Sequence, residues 1–219
     1  MDDTRWAKYA ALGGVWFVVL VWVAGALAGT PPTMNASDAD VAEYFTDNPD
    51  LIKCAAWLAG AATVGLLWWF GSVWRRLRAA EGGQTRMCVV ALAGLTLAGA
   101  VHLMSEAINA TLAMRYDSGG AEAAPFFWTM SSALVAMSGF GLVTFLAAVS
   151  VLTFRTGAFP KRSAYIGWLA TLFLLLGTLN VATSATIFLG LGFIGFTLMS
   201  IWVLVISWDL WKNPSAPAT

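Results

Sequence analysis

Charged residues are scarce in this sequence. Only 11% of the 219 residues are Asp, Glu, Lys or Arg, whereas 59% are apolar. Soluble domains usually carry about 25% charged residues. Because so few charges could not cover the surface of a water-soluble domain of this length, the apolar side chains must face something other than water. Lipid is the candidate, and the composition therefore predicts an integral membrane protein.

Histidine and cysteine are also rare, and this excludes several kinds of site. His102 is the only histidine, so a haem held by two histidines is excluded. The pair His102 and Glu106 is at most half of a zinc site, and no H-E-x-x-H motif is present. Cys54 and Cys88 form no C-x-x-C pair and are expected near opposite membrane surfaces, so we expect no disulfide.

Recognised catalytic and nucleotide-binding motifs are missing as well. The sequence has no P-loop, no dinucleotide fingerprint and no G-x-S-x-G nucleophile elbow. It also has no basic stripe of the kind that binds nucleic acid. We therefore expect no cofactor and no nucleic-acid partner, and the sequence favours a protein that is not an enzyme.

Long apolar runs, in contrast, are abundant. Six stretches come close to the roughly 20 residues that a helix needs to cross a bilayer. They predict an all-α membrane bundle of six transmembrane helices that forms a single domain over residues 1–219. The break between the last two spans rests on Gly190, Gly192 and Gly195, and no charged residue lies between the two helices. The predicted spans are Tyr9–Leu27, Cys54–Trp74, Met87–Ile108, Phe126–Phe154, Tyr165–Leu189 and Leu191–Trp211.

Basic residues fall mainly on one side of this topology. Ten of the 12 Lys and Arg residues lie on the side of the two termini, and only Lys53 and Arg115 lie on the other. Since the positive side of a membrane protein is normally cytoplasmic, we predict a multi-pass protein of the cell's plasma (inner) membrane with both termini cytoplasmic. Residues 212–219 would form a short cytoplasmic tail.

The first outer loop, residues 30–53, is the only large hydrophilic element. Ser37 can cap a helix, and the acids that follow it fall in the first turn, where the helix dipole favours anions. We therefore predict a short amphipathic helix from Asp38 to about Thr46 on the outer rim. Its apolar face would consist of Val41, Tyr44 and Phe45.

A few polar residues inside the predicted spans are candidates for function. Ionisable residues within a membrane are costly, so each one deserves a functional hypothesis. His102, Glu106 and Asn109 are spaced by four and three residues, which places them on one face of the third span. The fourth span brings Thr129, Ser131 and Ser132 to a similar depth, and the fifth brings Asn180, Thr183 and Ser184. The predicted polar pocket in the outer third of the bundle contains His102, Glu106, Asn109, Ser132, Asn180 and Thr183.

Two interpretations of this pocket stay open. As a functional site it would accept a proton or a small cation, because histidine changes charge near neutral pH and a carboxylate one turn away favours its protonated form. As a structural feature, His102 and Glu106 would bond each other and tie helices together, or Glu106 would reach the headgroups or pair with Lys53 or Arg115. Polar residues commonly join membrane helices without catalysing anything, which favours the structural interpretation.

Two further patterns suggest contacts with lipid or with other chains. Arg75, Arg76 and Arg78 end the second span and could bind anionic lipid headgroups, although a role in topology alone would explain them. Gly25 and Gly29 form a G-x-x-x-G pair that could mark a dimer contact, although packing within the bundle is the favoured explanation. Membrane lipids, a second copy of the chain and a partner membrane subunit are the expected partners.

Two hairpins in the sequence are faintly alike. Gly65–Arg78 followed by Met87–Gly99 has the same layout as Gly139–Arg155 followed by Tyr165–Gly177. In both, a span ends in a short basic turn and a second span returns. The preference of basic turns for one side of the membrane is enough to produce this likeness.

Three short segments carry a resemblance to a group of proteins. They are Ala42–Phe45 in the acidic outer loop, Trp74–Arg78 at the end of the second span and Glu81–Gly83 in the following turn. In this layout, the chain resembles the small polytopic membrane proteins that are abundant in actinobacteria and grouped as domains of unknown function. The resemblance implies a helical membrane bundle and supplies no activity or catalytic residues.

Three classes of function remain open at this point. Short loops, few intramembrane polar residues and the lack of motifs favour a non-enzymatic accessory or scaffold subunit, or a small homo-oligomer. The first alternative is transport of a small solute or ion through the outer pocket around His102 and Glu106. The second is a membrane-embedded enzyme that acts on lipid or quinone, and the absence of a recognised nucleophile–base pair counts against it.

Overall fold

The computed structural model describes residues 3–82, 84–116, 121–183 and 185–214, with side chains from Lys8 onward except that of Ala121. Within these ranges the regular structure is helical, which confirms the all-α prediction. A short 3-10 turn, Ala121–Ala123, precedes the fifth helix. The α-helices are α1 (Asp3–Ala28), α2 (Asp38–Asp47), α3 (Pro49–Ala80), α4 (Arg86–Arg115), α5 (Ala124–Thr156), α6 (Lys161–Thr178), α7 (Asn180–Thr183) and α8 (Thr186–Lys212).

Six segments are long and apolar enough to cross a membrane, as predicted. They are α1, α3, α4, α5, α6 continued by α7, and α8, and they contain 21 to 33 residues. Several exceed the roughly 20 residues that a bilayer requires. α3, for example, starts with the polar turn around Asp50 and ends with the basic turn around Arg76, so its ends extend beyond the apolar stretch.

The six spans form a closed ring of antiparallel hairpins. α1 pairs with α3, α4 with α5 and α6 with α8, and the hairpins meet through α3–α4, α5–α6 and α8–α1 contacts. The start of α1 and the end of α8 therefore lie at the same end, together with the turn that contains Glu81 and the turn that contains Gly157. We call this the basic end and the opposite one the α2 end. The predicted tail at 212–219 is described only as far as Pro214.

The same close helix contact recurs around the ring. In α3, α5 and α8, a glycine packs against the partner helix of its hairpin, and a large, fully buried residue follows four positions later. A Cβ on Gly141 would lie only 2.6 Å from the backbone nitrogen of Ala98, and one on Gly195 would lie 2.6 Å from that of Leu174. The bundle thus has an approximate threefold repetition of hairpins. The glycine and large-residue pairs are Gly65 with Trp69, Gly141 with Phe145 and Gly195 with Met199.

The break between the last two spans was predicted at Gly190, and this is wrong. The turn lies between the end of α7 at Thr183 and the start of α8 at Thr186. Gly190, Gly192 and Gly195 belong to the helix. Gly192 and Gly195 allow close packing on α6, since a Cβ on Gly177 of α6 would lie 2.5 Å from the Cα of Gly192. In a membrane helix, glycine marks close helix packing as readily as a turn.

α2 confirms the amphipathic helix predicted in the first loop. The Ser37 hydroxyl accepts a hydrogen bond from the Asp40 N–H at 3.2 Å, and the Asp40 carboxylate accepts one from the Ser37 N–H at 3.2 Å. This reciprocal capping box fixes the start of the helix. Val41 and Phe45 are each 1% exposed and pack on residues of α3, α4 and α5. The helix therefore covers the α2 end of these three spans.

Aromatic side chains fill the axis of the bundle somewhat nearer the basic end. Trp69 and Trp202 pack edge to face at 5.9 Å between ring centroids, and Phe145 lies 5.6 Å from both Trp202 and Phe70. All four are at most 3% exposed. They come from α3, α5 and α8, which alternate around the ring, so their rings meet at its centre. We call these four residues the aromatic plug.

Candidate functional site at the α2 end

The candidate site starts from one face of α4. Ala98 lies against α5 and Gly99 lies against α3. In a helix of about 3.6 residues per turn, Leu95, His102 and Glu106 lie between these two contact lines. Since α3 and α5 are the ring neighbours of α4, the face between them points into the bundle. His102 and Glu106 therefore face the interior of the ring.

Exposure changes sharply along this interior face. Leu95 is 2% exposed, whereas the side chains of His102 and Glu106, two to three turns further toward the α2 end, are 32% and 20% exposed. Nε2 of His102 and Oε1 of Glu106 are 3.7 Å apart, which is ion-pair distance when the imidazole is protonated. The interior is thus open beside this pair and closed beneath it.

Serine and asparagine side chains join α4 to α5 next to the pair. The hydroxyls of Ser105 and Ser131 are 2.7 Å apart, and the Ser131 hydroxyl donates to Oδ1 of Asn109 at 2.7 Å. Because each hydroxyl has one hydrogen, Ser105 donates to Ser131 in this arrangement. Both serines are at most 1% exposed. This buried chain of hydrogen bonds ties the two helices together.

α2 contributes a phenol to the same region. The Tyr44 ring lies 5.7 Å from the Trp128 ring of α5 and 5.0 Å from Phe45. Burial, and secondly the negative charge of Glu106, raise the pKa of Tyr44 to about 12. The phenol is therefore neutral at physiological pH, and α2 holds it within electrostatic range of the Glu106 carboxylate.

The structure brings part of the predicted pocket together. His102, Glu106 and Asn109 share the interior side of α4 as their spacing predicts. The α5 partner of Asn109 is Ser131, which was expected in this layer together with Ser132, and Ser132 is half-buried beside it. Tyr44 and Ser105 are members of the site that were not predicted.

The remaining two predicted residues lie in α7. Asn180 is buried and Thr183 is exposed, and α7 packs against α5, α6 and α8. The Thr183 hydroxyl donates to the Leu179 carbonyl at 3.1 Å within its own turn. Neither residue is drawn into the hydrogen-bonded cluster between α4 and α5.

The arginines predicted to bind headgroups behave differently from one another. The Arg76 guanidinium pairs with the Asp209 carboxylate at 2.5 Å, with side chains only 10% and 15% exposed, and it lies 5.1 Å from the Phe159 ring centroid. Arg76 thus ties α3 to α8 inside the protein. Arg75 and Arg78 are exposed at the basic end, and headgroup binding stays a prediction for these two residues.

The available groups limit the chemistry of the site. Within the described ranges, no three His, Cys, Asp or Glu side chains form a group that could hold a metal ion. The hydroxyls of Ser105 and Ser131 bond each other and Asn109. Among the described hydrogen bonds, neither serine is bonded to His102, as a nucleophile would be to its general base. The site contains the carboxylate of Glu106, the imidazole of His102 and the phenol of Tyr44, and groups of these kinds bind protons or cations.

Comparisons with protein-family models, with curated proteins and with solved structures found no match to this chain.

Proposed function

We propose that this protein is a non-enzymatic, multi-pass membrane component that takes up a proton or a small cation at the α2 end without conducting it across the bilayer. The observation that carries this proposal is the contrast along the interior face of α4. His102 and Glu106 keep part of their surface accessible, while Leu95 beneath them is closed off.

The chemistry of the open region suits a cation. Glu106 supplies a carboxylate on the interior side of a span, where an ionisable group is costly unless it is hydrated or paired. His102 lies 3.7 Å from it, within ion-pair distance of the carboxylate. The charge of the same carboxylate is felt by Tyr44 of α2. A proton or small cation entering from the α2 end would meet these groups first.

The aromatic plug opposes conduction along the axis. Trp69, Phe145 and Trp202 meet at 5.6 to 5.9 Å between ring centroids at the centre of the ring, and none is more than 1% exposed. An ion moving past them would have to lose its hydration shell among apolar rings, which is costly. We therefore propose an accessory or sensing role in a larger assembly or homo-oligomer, with the α2 end outside the cell and the basic end cytoplasmic.

Access to His102 tests the proposal most directly. In a chain with Cys54→Ser and Cys88→Ala, we would introduce His102→Cys and reconstitute the protein in liposomes. A membrane-impermeant thiol reagent should label this cysteine from the α2 side and not from the basic side. Phe145→Ala,His102→Cys is the matched variant, because opening the plug should allow labelling from both sides. Labelling of His102→Cys from the basic side in the intact plug would contradict the proposal.

Transport is the second candidate, because the ionisable pair faces the interior of the ring within a membrane span. It predicts a protein-dependent, pH-dependent flux of protons or cations in liposomes that is lost in His102→Ala and Glu106→Gln. The main proposal predicts no flux above that of protein-free liposomes. A flux that both variants abolish would favour transport and remove the non-conducting role.

A further inference from the structure

A groove between α1 and α8 lies at the basic end, away from the site above. It encloses about 360 Å³ and is open on the outer side of the bundle. Ala11, Leu12 and Val15 of α1 and Leu204, Trp208 and Trp211 of α8 line it. The walls are apolar, so a hydrocarbon chain is the kind of group that fits between the two helices.

Two ammonium groups lie over the aromatic walls of this groove. Nζ of Lys212 is 4.6 Å from the centroid of the Trp208 ring, and Nζ of Lys8 is 5.9 Å from that of Trp211. Lys8 directly precedes the apolar run of α1 and Lys212 directly follows that of α8, so both lie at the level of the lipid headgroups. The groove therefore has a positively charged mouth above an apolar floor.

Ser207 also lines the groove, but its hydroxyl oxygen is buried against α1, where it lies next to Gly14. A ligand in the groove would therefore meet apolar side chains below the level of the two lysines.

The spacing of these groups matches one half of a bilayer. At 1.5 Å per residue, Trp208 lies about 6 Å and Leu204 about 12 Å along α8 from Lys212, within the roughly 15 Å depth of one hydrocarbon leaflet. We infer that the groove binds one anionic phospholipid of the leaflet at the basic end. Lys8 and Lys212 hold its phosphate, and an acyl chain lies along α1 and α8.

Native mass spectrometry of the detergent-solubilised protein tests the headgroup contact. With equal amounts of phosphatidylglycerol and phosphatidylcholine, the unchanged protein should retain phosphatidylglycerol preferentially. Replacing Lys8 and Lys212 with Gln should weaken that preference about fivefold for each lysine. The control Lys161→Gln,Arg162→Gln removes two exposed charges at the start of α6, which also lies at the basic end, and should keep the preference for phosphatidylglycerol. An equal loss in the control, or no preference in the unchanged protein, would overturn the inference.

A further variant tests the position of the acyl chain. Leu204→Trp should fill the groove and reduce retention of both lipids, whereas Leu172→Trp, at an exposed position of α6, should not. Unchanged retention in Leu204→Trp would show that the acyl chain does not lie in the groove, whatever the outcome at His102.

Discussion

Tyr44 connects α2 to the polar site at the scale of a single side chain. Its folded-state pKa of about 12 lies above the ordinary value of 10.0. Because the pKa is raised, the stability that the neutral phenol contributes is complete below about pH 10 and is lost as the pH rises through 12. We expect α2 to loosen over this range.

Tyr44→Phe should therefore remove a pH-dependent loss of stability. After allowance for the exposed part of the ring, the loss in the unchanged protein should be about 1 kcal/mol between about pH 10 and 12. Thermal unfolding in detergent at several pH values measures it. Tyr9→Phe, at an exposed position of α1, is the control and should keep the loss. A Tyr44→Phe variant with the same alkaline loss would show that another group is responsible.

Ser131 and Ser132 offer a comparison of neighbouring residues. Ser131→Ala breaks the buried hydrogen bonds to Ser105 and Asn109, and we expect a loss of about 1 kcal/mol in the free energy of unfolding. Ser132→Ala, at a half-buried position one residue on, should cost less. Equal effects, measured by unfolding in the same detergent, would mean that the hydrogen-bonded chain contributes little.

Helical periodicity predicted part of this site and could not predict the rest. The spacing of His102, Glu106 and Asn109 places them on one side of α4 in any helix. The choice between Ser131 and Ser132 depends on how α5 is rotated against α4, which the sequence of one helix does not contain. Tyr44 reaches the site only because α2 folds back over the bundle, a contact between residues far apart in the chain.

At the scale of helices, the signals for starting an element were easier to interpret than the signals for ending one. Ser37, Asp38 and Asp40 predicted the start of α2, because an N-cap and the acids of the first turn act within four residues. Gly190 was interpreted as a break, although α8 continues through it. Gly192 and Gly195 serve contact with α6, and that contact depends on the partner helix rather than on local sequence.

Substitutions of Gly141 and Gly71 compare the effect of close helix packing with the effect of intrinsic helix preference. A Cβ at Gly141 would lie 2.6 Å from the backbone of α4, whereas one at Gly71 would meet no atom within 4 Å. We expect Gly141→Ala to destabilise the protein by about 1–3 kcal/mol, and Gly71→Ala to be neutral or stabilising by up to about 1 kcal/mol. Unfolding measurements on the two variants would contradict the packing scheme if Gly141→Ala were the milder change.

Glu81 stabilises the turn between α3 and α4. Burial acts to raise the pKa of Glu81. Its carboxylate accepts hydrogen bonds from the N–H groups of Met87 at 2.8 Å and Cys88 at 3.3 Å, and Arg155 adds a nearby positive charge. These effects outweigh burial, so the pKa of Glu81 lies below its usual 4.5. Because this pKa is lowered, the stability gained is present above about pH 4.5 and is lost as the pH falls through the folded value.

The corresponding variant is Glu81→Gln. It should destabilise the protein at neutral pH and have little effect in acid, once the carboxyl group of the unchanged protein is protonated. Unfolding at both pH values measures this difference. Glu43→Gln, at an exposed position of α2, is the control. A Glu81→Gln effect that is the same at both pH values would show that charge at Glu81 does not matter.

For the whole molecule, the length of the apolar runs predicted six spans, and the Lys and Arg residues predicted that successive spans run in opposite directions. Both predictions were possible because these features depend on transfer of helices into lipid and not on tertiary contacts. The threefold repetition of hairpins was not predicted. The sequence shows a faint likeness between two hairpins only, because the repeats share a glycine and a large residue rather than an extended motif. The Arg76–Asp209 pair was not predicted either, because its partners lie 133 positions apart in the chain.

Membrane sidedness is the basis of the proposed role, and one labelling measurement tests it. In a chain with Cys54→Ser and Cys88→Ala, single cysteines would replace Glu43 at the α2 end and Arg78 at the basic end, and a membrane-impermeant thiol reagent would be applied to intact cells. We predict that Glu43→Cys is labelled at once and Arg78→Cys only after the membrane is permeabilised. Labelling of both positions from the same side would contradict the six-span arrangement and the outward-facing site.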